Sequence, residues 1–460
     1  MKTGPNLEHL PRSLSVFAPL KIVVAYIFIT ILLHLFGPWT YQNEATLPML
    51  GFMILVTVLF AAGYWSVAKR WKNLLIKDEE VCAKNFKRFL RVSKWGLVLQ
   101  SSLIVLAFVS DLVNGDISIS ALLDPGQIYV NALAAGKEAE VSISLLTQIK
   151  TLFSPLFLLS NAVLIFNFQR IERKWRSLLI FAIVLQLLHG VLTKGAQKGV
   201  FDAFILLTAV GILKVYLQKH DFIRWRRRGI FLLSLVVVVF IFFQLSRLNA
   251  YDALDYSGSS QASLDRDSLL FTLFGDQVGL GISLFISYIS QGYYGLSLSL
   301  QLPFEWSYGM GNSFALTSYA EQYFGVSNIF EQTYPYRMEY VFNWPAKMYW
   351  HTIFPWLASD ITFPGALALM FFVGRGYARS LIDGVVYESP LGICAFYLLT
   401  TFLLYLPANN QLMQTREMMI ATVVVFASWM VFGVRLRKQR RVRLVSQMPA
   451  PFATKRKIQK

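Results

Sequence analysis

The feature that most constrains this chain is a series of apolar runs of roughly 17–22 residues, each long enough to cross a hydrocarbon core of about 30 Å. Ten such runs are read at about Lys21–Trp39, Leu47–Ala68, Trp95–Val113, Thr151–Phe168, Ser177–Leu192, Gly199–Leu217, Gly229–Leu245, Ile361–Tyr377, Leu391–Leu406 and Met418–Val434. Inside hydrocarbon every backbone N–H and C=O must be satisfied within its own segment, so each run is expected to be a helix. The fold class is therefore all-α: one polytopic transmembrane helical bundle over 1–460. A weaker apolar run, Val278–Gln291, is read as a re-entrant helix or as half of an additional pair, which would make twelve spans.

Composition agrees. Apolar residues make up 55% of the chain and charged residues 15%, with a mean hydropathy of +0.49. A soluble domain carries about 25% charged residues. The formal charge of +17 would suggest nucleic acid in a soluble protein. Here the basic residues gather at run ends, where the positive-inside rule accounts for them, so no nucleic-acid partner is expected. The two cysteines, Cys82 and Cys394, form no CxxC or Cys/His cluster, so no disulfide framework, metal site or cofactor is expected. The first apolar run is full length with no small-residue cleavage site after it, which argues against a cleaved signal.

The same rule places both termini in the cytoplasm, with a basic cytoplasmic tail over 435–460. It leaves nine cations on the outer side: Lys137, Lys150, Lys194, Lys198, Arg247, Arg266, Arg337, Lys347 and Arg416. Inner cations hold the topology and touch anionic lipid. Outer ones work against it and call for another reason.

The segment 247–359 is expected to be a large outer loop with re-entrant or interfacial helices. It contains "GLGISLFISYISQGYYGLSLSLQLPFEWSYGMGNSFAL". Its aromatics are read either as an interfacial belt or as a platform on which flat ring faces meet the C–H faces of sugars. Downstream, Arg337, Glu339, Lys347, His351 and Asp360 gather among tryptophans, and titratable groups at the mouth of a bundle suggest a site. His351 is read as a proton acceptor or as a solvated interfacial side chain. Asp360 is read as an N-cap of the span that follows it. Lys194 and Lys198, beside a helix N-terminus, are read as a phosphate site or as lysines snorkelling to lipid headgroups. Arg247 and Arg416 stand at outer span ends, where a guanidinium fork suits phosphate.

Three stretches carry a family resemblance: "LTKGAQKGVFDAFILLTAVGILKVYL", "FFQLSRLNAYDAL" and "YWHTIFPWLASDITFPGALALMFFVGRGYARS". They resemble the Wzy-type O-antigen and exopolysaccharide repeat-unit polymerases. The first looks like that family's Gly-plus-basic turn, with Lys194 and Lys198 where arginine is frequent. The second is a span ending in Arg247. In the third, Thr352, Asp360, Gly365 and Gly374 follow the family's Thr, Asp, Gly order.

The resemblance implies polymerisation of undecaprenyl-pyrophosphate-linked oligosaccharide units at the outer face of the bacterial inner membrane. A flippase and a chain-length-regulating copolymerase are the implied partners. On this expectation Arg247, Arg266, Arg337, Lys194 and Lys198 stabilise the leaving pyrophosphate without a metal. His351, then Glu339, is the base, and Lys347, Asp360 and Arg416 also bind substrate. An O-antigen ligase using the same donor and a lipid-linked-oligosaccharide or small-molecule transporter remain alternatives. A polyprenyl-phosphate-sugar transferase is disfavoured, because the first outer loop carries Glu44 as its only acidic residue.

Overall fold

Local backbone satisfaction makes helices of the apolar runs, and small residues decide how closely those helices approach. The computed structural model describes residues 15–71, 79–134, 145–217, 222–251, 259, 261–326, 329–346 and 348–446. In chain order the helices are α1 (Ala18–Phe36), α2 (Thr46–Ala68), α3 (Glu79–Val113), α4 (Pro125–Ala134), α5 (Leu145–Phe166), α6 (Arg173–Lys194), α7 (Lys198–Leu217) and α8 (Phe222–Ala250). They continue with α9 (Leu269–Ser290), α10 (Gly292–Ser299), α11 (Phe314–Phe324), α12 (Ile329–Gln332) and α13 (Tyr334–Phe342). The last four are α14 (Phe354–Val386), α15 (Pro390–Leu404), α16 (Gln411–Gln414) and α17 (Arg416–Ser446). Two short strands, β1 (Trp39–Tyr41) and β2 (Ala262–Leu264), pair antiparallel with Trp39 opposite Leu264. Among the described residues ten helical segments are long and apolar enough to cross a membrane, so the chain is an all-α polytopic bundle.

α2 and α14 pack backbone against backbone. A Cβ on Gly63 would stand 2.0 Å from the Phe371 carbonyl oxygen, and one on Gly374 would stand 2.1 Å from that of Phe60. Two backbones thus touch where only glycine fits. Against this pair α15 buries every residue except Leu391 and Leu404, with Tyr377 and Phe396 stacked at 4.8 Å.

The two ends of the bundle differ. At one end Tyr64 and Tyr216 donate to the carbonyls of Val16 and Ser15 at 2.6 and 2.7 Å. Asn85 there donates to the Tyr387 carbonyl at 3.0 Å, and Arg170 pairs with Glu388 at 2.8 Å. This is the basic end. The opposite end holds β1, β2 and the helices of the long loop, and is called the loop end below.

Several sequence expectations change. The run expected over Leu391–Leu406 is helical for only 15 residues, roughly 22 Å at 1.5 Å per residue. The buried, non-helical segment 405–410 continues it toward the loop end, and its backbone is tied by His351 N–H to the Ala408 carbonyl at 3.1 Å and Ile353 N–H to that of Leu406 at 3.1 Å. Irregular backbone at such depth is tolerated because protein surrounds it. Hydropathy alone does not separate a lipid-facing span from a buried core helix, which is why the run read as an ordinary span. α3 begins at Glu79, not near Trp95, so Cys82 lies on a helix, with its thiol 3.6 Å from the Val386 carbonyl oxygen. α17 carries the expected tail on as helix to Ser446; 447–460 lie outside the described residues.

The weak run Val278–Gln291 falls on α9. Gly275 breaks this helix at φ 74°, and Phe271 folds back onto Gly279. The arm after the break passes α1 and α8: Trp39 donates to the Ser283 carbonyl at 2.8 Å, and Phe240 meets Tyr288 at 4.8 Å. α10 then turns back. Tyr293 reaches Thr30 inside the bundle at 2.8 Å, while Tyr294 donates to the Gln42 carbonyl at 2.8 Å. α9 and α10 together, Leu269–Ser299, are one of the ten segments long and apolar enough to cross a membrane, and the contacts of α10 turn back toward the segment after β1.

Candidate functional site

The turn of α10 back from α9 leaves a cavity of about 850 Å³ at the loop end. Its walls come from α4, α8, α9, β1, the segment after α13 and the buried segment after α15. Aromatic rings dominate them: Trp39, Tyr41, Tyr129, Tyr251, Tyr288, Tyr336, Trp344, Tyr349, Trp350 and Trp356. One wall is backed by a column of rings. His34 stacks on Tyr41 at 5.0 Å, Tyr41 on Tyr294 at 4.8 Å, Tyr294 meets Trp344 edge-on at 4.8 Å, and Trp344 stacks on Tyr349 at 4.0 Å. Such stacks hold the rings in place before any ligand arrives.

The polar groups of this cavity are few and placed. Arg247, in the last turn of α8, is its only cation among the described residues, and none of its described lining residues is acidic. The guanidinium lies 3.7 Å from the Tyr129 ring centre and donates to the Gly195 carbonyl at 3.2 Å. Its Nε–H is buried without a partner. Gln244, Gln291, Asn409 and Gln414 supply amides. Gly195 is pinned: it caps α6 at φ 55°, and a Cβ there would stand 2.2 Å from the Pro125 carbonyl oxygen.

The other expected site residues are dispersed. Lys198 pairs with Asp202 at 2.6 Å and lines a second cavity of about 460 Å³ on the far side of the Gly195 turn. Lys194 ends α6 and lines neither cavity. Arg266 lies 6.0 Å from the Phe271 ring, outside both. Arg337 is committed to Glu305 at 3.0 Å and the Pro303 carbonyl at 2.7 Å. Arg416, 6% exposed, clamps α11 through Ser318 at 3.1 Å, Gln322 at 2.8 Å and the Tyr319 ring at 4.1 Å. Lys347 lies outside the described residues.

Asp360 is not a helix cap. α14 breaks at Thr362 (φ 64°), whose hydroxyl accepts from Gly365 N–H at 3.4 Å. The Asp360 carboxylate instead accepts from the Ser307 hydroxyl at 2.6 Å and from the N–H groups of Gly311 at 3.0 Å and Asn312 at 2.8 Å. It ties down the loop over 307–312.

His351 is fully buried against Gly295 of α10, and neither ring nitrogen makes a well-formed hydrogen bond. Burial pushes its pKa down to about 3, slightly opposed by the Trp344 backbone. The ring is neutral at physiological pH and a weak proton acceptor, held behind Trp350 and Trp356, which do face the cavity. Glu339 is half-buried on α13, and its Oε2 accepts from Ala346 N–H at 3.3 Å, beside the cavity edge.

Sequence reasoning missed Tyr129, Gln244, Asn409 and Gln414. For Asn409 a signal existed, since "ANNQ" puts amides directly after an apolar run. Tyr129 had none: α4 is too short and too mildly apolar to stand out. Comparison of the chain with protein-family models, curated proteins and solved structures gives no match.

Proposed function

We propose that the chain polymerises oligosaccharide repeat units carried on a polyprenyl pyrophosphate, with the loop end on the outer face of a bacterial inner membrane and both termini cytoplasmic. The single observation that carries this reading is the aromatic cavity with one preorganised guanidinium. Ring faces match the C–H faces of pyranoses, the amides match hydroxyls, and Arg247 matches the charge of a departing pyrophosphate. Cavities of about 300–1,000 Å³ with apolar walls and a few placed polar groups are the usual form of a small-ligand site. The orientation rests on the basic residues gathered at the opposite end.

In this scheme an acceptor hydroxyl oxygen attacks the anomeric carbon, its new bond replaces the bond to pyrophosphate oxygen, and the carbon inverts. The hydroxyl proton passes to Glu339. The electron pair of the broken bond leaves with the pyrophosphate, whose charge Arg247 meets with a group already fixed in place. His351 keeps the role its burial supports, packing α10 against 351–353. A flippase delivering the donor and a chain-length-regulating copolymerase are the proposed partners.

The test is reconstitution. Purified protein incubated with a synthetic lipid-pyrophosphate repeat unit is expected to yield a ladder of products joined by inverted linkages. Absence of a ladder, or transfer only to lipid A–core as in a ligase, rejects polymerisation. Retained linkages reject the inverting mechanism.

A further inference from the structure

The second cavity, between α3, α5, α6, α7 and α17, is amphipathic along its length. At the loop end it is edged by Lys150, His189, Lys198, Asp202 and Glu417, each within two turns of the end of its helix. Deeper, its walls are aliphatic, with Leu103, Leu158, Ile165, Ile183 and Leu206. Two of its lining residues, Gln186 and Leu207, are exposed on the sides of α6 and α7, so the slot opens laterally between helices. An exposed glutamine on an otherwise apolar span needs a polar neighbour.

The charges at the rim are balanced but incompletely used. Lys198 occupies Oδ2 of Asp202 at 2.6 Å and leaves Oδ1 buried without a partner. His189 pairs with Asp111 at 2.6 Å. Lys150 has Asp111 and Glu417 as its neighbouring carboxylates and bonds to neither. Gln100, 5% exposed, donates to Gln186 at 3.2 Å, which leaves its own Oε1 buried and unpartnered, as is Oδ1 of Asn161. The slot therefore presents one unpaired ammonium and a set of unpaired oxygen acceptors, and buried polar atoms of this kind require a partner.

We propose that this slot is a binding site for a zwitterionic membrane lipid with a primary amine, its phosphate on Lys150, its ammonium on Asp202 and Glu417, and an acyl chain along the aliphatic wall. A purely anionic headgroup would satisfy Lys150 but meet two carboxylates, and a purely cationic one would meet two lysines. A primary ammonium brings three N–H donors, which the free Oδ1 of Asp202 and the Glu417 carboxylate can use; a quaternary one brings none. The site is separate from the aromatic cavity and stands independently of the glycosyl-transfer reading, because its readout is lipid occupancy and not product.

The experiment is native mass spectrometry of the full-length protein, stripped of lipid in mild detergent and offered phosphatidylethanolamine, phosphatidylglycerol and phosphatidylcholine with identical chains. Phosphatidylethanolamine is expected to be retained about tenfold better than either, a difference of about 1.4 kcal/mol. Lys150→Gln and Glu417→Gln should each remove that preference while the protein still elutes as a single species. Equal retention of all three lipids, or a preference unchanged in both variants, overturns the proposal. Glycerophosphoethanolamine, the same headgroup without chains, should not compete at equal concentration; full competition would assign the slot to a soluble ligand instead.

Discussion

The two cavities are neighbours separated by one turn of chain, and they are built on opposite principles. In the cavity at α9 and α10, aromatic rings form the walls and Arg247 stands alone among amides. In the slot between α5, α6 and α7, aliphatic walls meet a rim carrying charges of both signs, and its described lining residues include just two phenyl or phenol rings, Phe157 and Tyr397. The partition is the Gly195 turn together with the segment before α17. Gly195 faces Arg247 while Lys198 faces the slot, and Gln414 lines one cavity while Thr415 lines the other. Among the described residues lining its cavity, the Arg247 guanidinium meets no carboxylate. The Lys198 ammonium is already 2.6 Å from the Asp202 carboxylate. Neighbouring carboxylates distinguish the two spaces: Lys150 in the slot has Asp111 and Glu417 nearby, whereas no described residue lining the Arg247 cavity is acidic.

That contrast can be broken most severely at the partition itself. Gly195→Val puts a branched side chain where a Cβ alone would stand 2.2 Å from the Pro125 carbonyl, at a φ of 55° that disfavours branched residues. The expected outcome is loss of the monodisperse peak on size-exclusion chromatography; a normal peak would mean that the turn does not hold the two cavities apart. Next in size, Arg247→Ala is expected to lower ladder formation about 100-fold, the loss typical of one preorganised donor. Lys198→Ala should leave the rate within about threefold, below the tenfold that corresponds to 1.4 kcal/mol. Equal losses in both would merge the cavities into one functional site.

Asp360→Asn tests whether this carboxylate supports the loop or binds a ligand. Two backbone N–H groups and one hydroxyl lose an ionised acceptor, worth about 1–3 kcal/mol of stability. The expected signature is a lowered Tm with normal ladder chemistry at low temperature. A normal Tm with no ladder would place Asp360 on the substrate.

The smallest effect belongs to His351 and depends on pH. An unfolded imidazole takes a proton near pH 6.5, whereas the buried ring resists it until about pH 3. Between those values the unfolded state holds more protons, so stability is full above about pH 6.5 and declines as pH falls toward 3. His351→Leu should flatten the fall in Tm between pH 7 and pH 5. An unchanged slope would show that His351 is not the group responsible.

Much of the architecture was legible in the chain. Nine expected spans fall on long helices, because apolar length and the need to satisfy backbone groups are local properties. The exception, α15, is apolar like a span but is enclosed by protein, and hydropathy carries no record of what surrounds a residue. The aromatic character of the long loop was also legible, and so was Arg247 at the end of α8. The grouping of charges was not. Lys194, Lys198, Arg266, Arg337 and Arg416 look alike in the sequence, and only their partners separate them: Asp202 for Lys198, Glu305 for Arg337, Gln322 for Arg416.

The sequence by itself determined that this is a helical membrane protein with basic residues at the ends of its spans and a ring-rich segment between its seventh and eighth expected spans. These are properties of residues and their near neighbours. The tertiary structure alone decided that α9 folds back at Gly275, that His351 is sealed behind Trp350 and Trp356, and that Arg247 and Lys198 face different spaces. Each depends on contacts between residues far apart in the chain, such as Tyr129 with Arg247 and Gly295 with His351. Those contacts arise from packing the whole bundle, which no single stretch of sequence specifies.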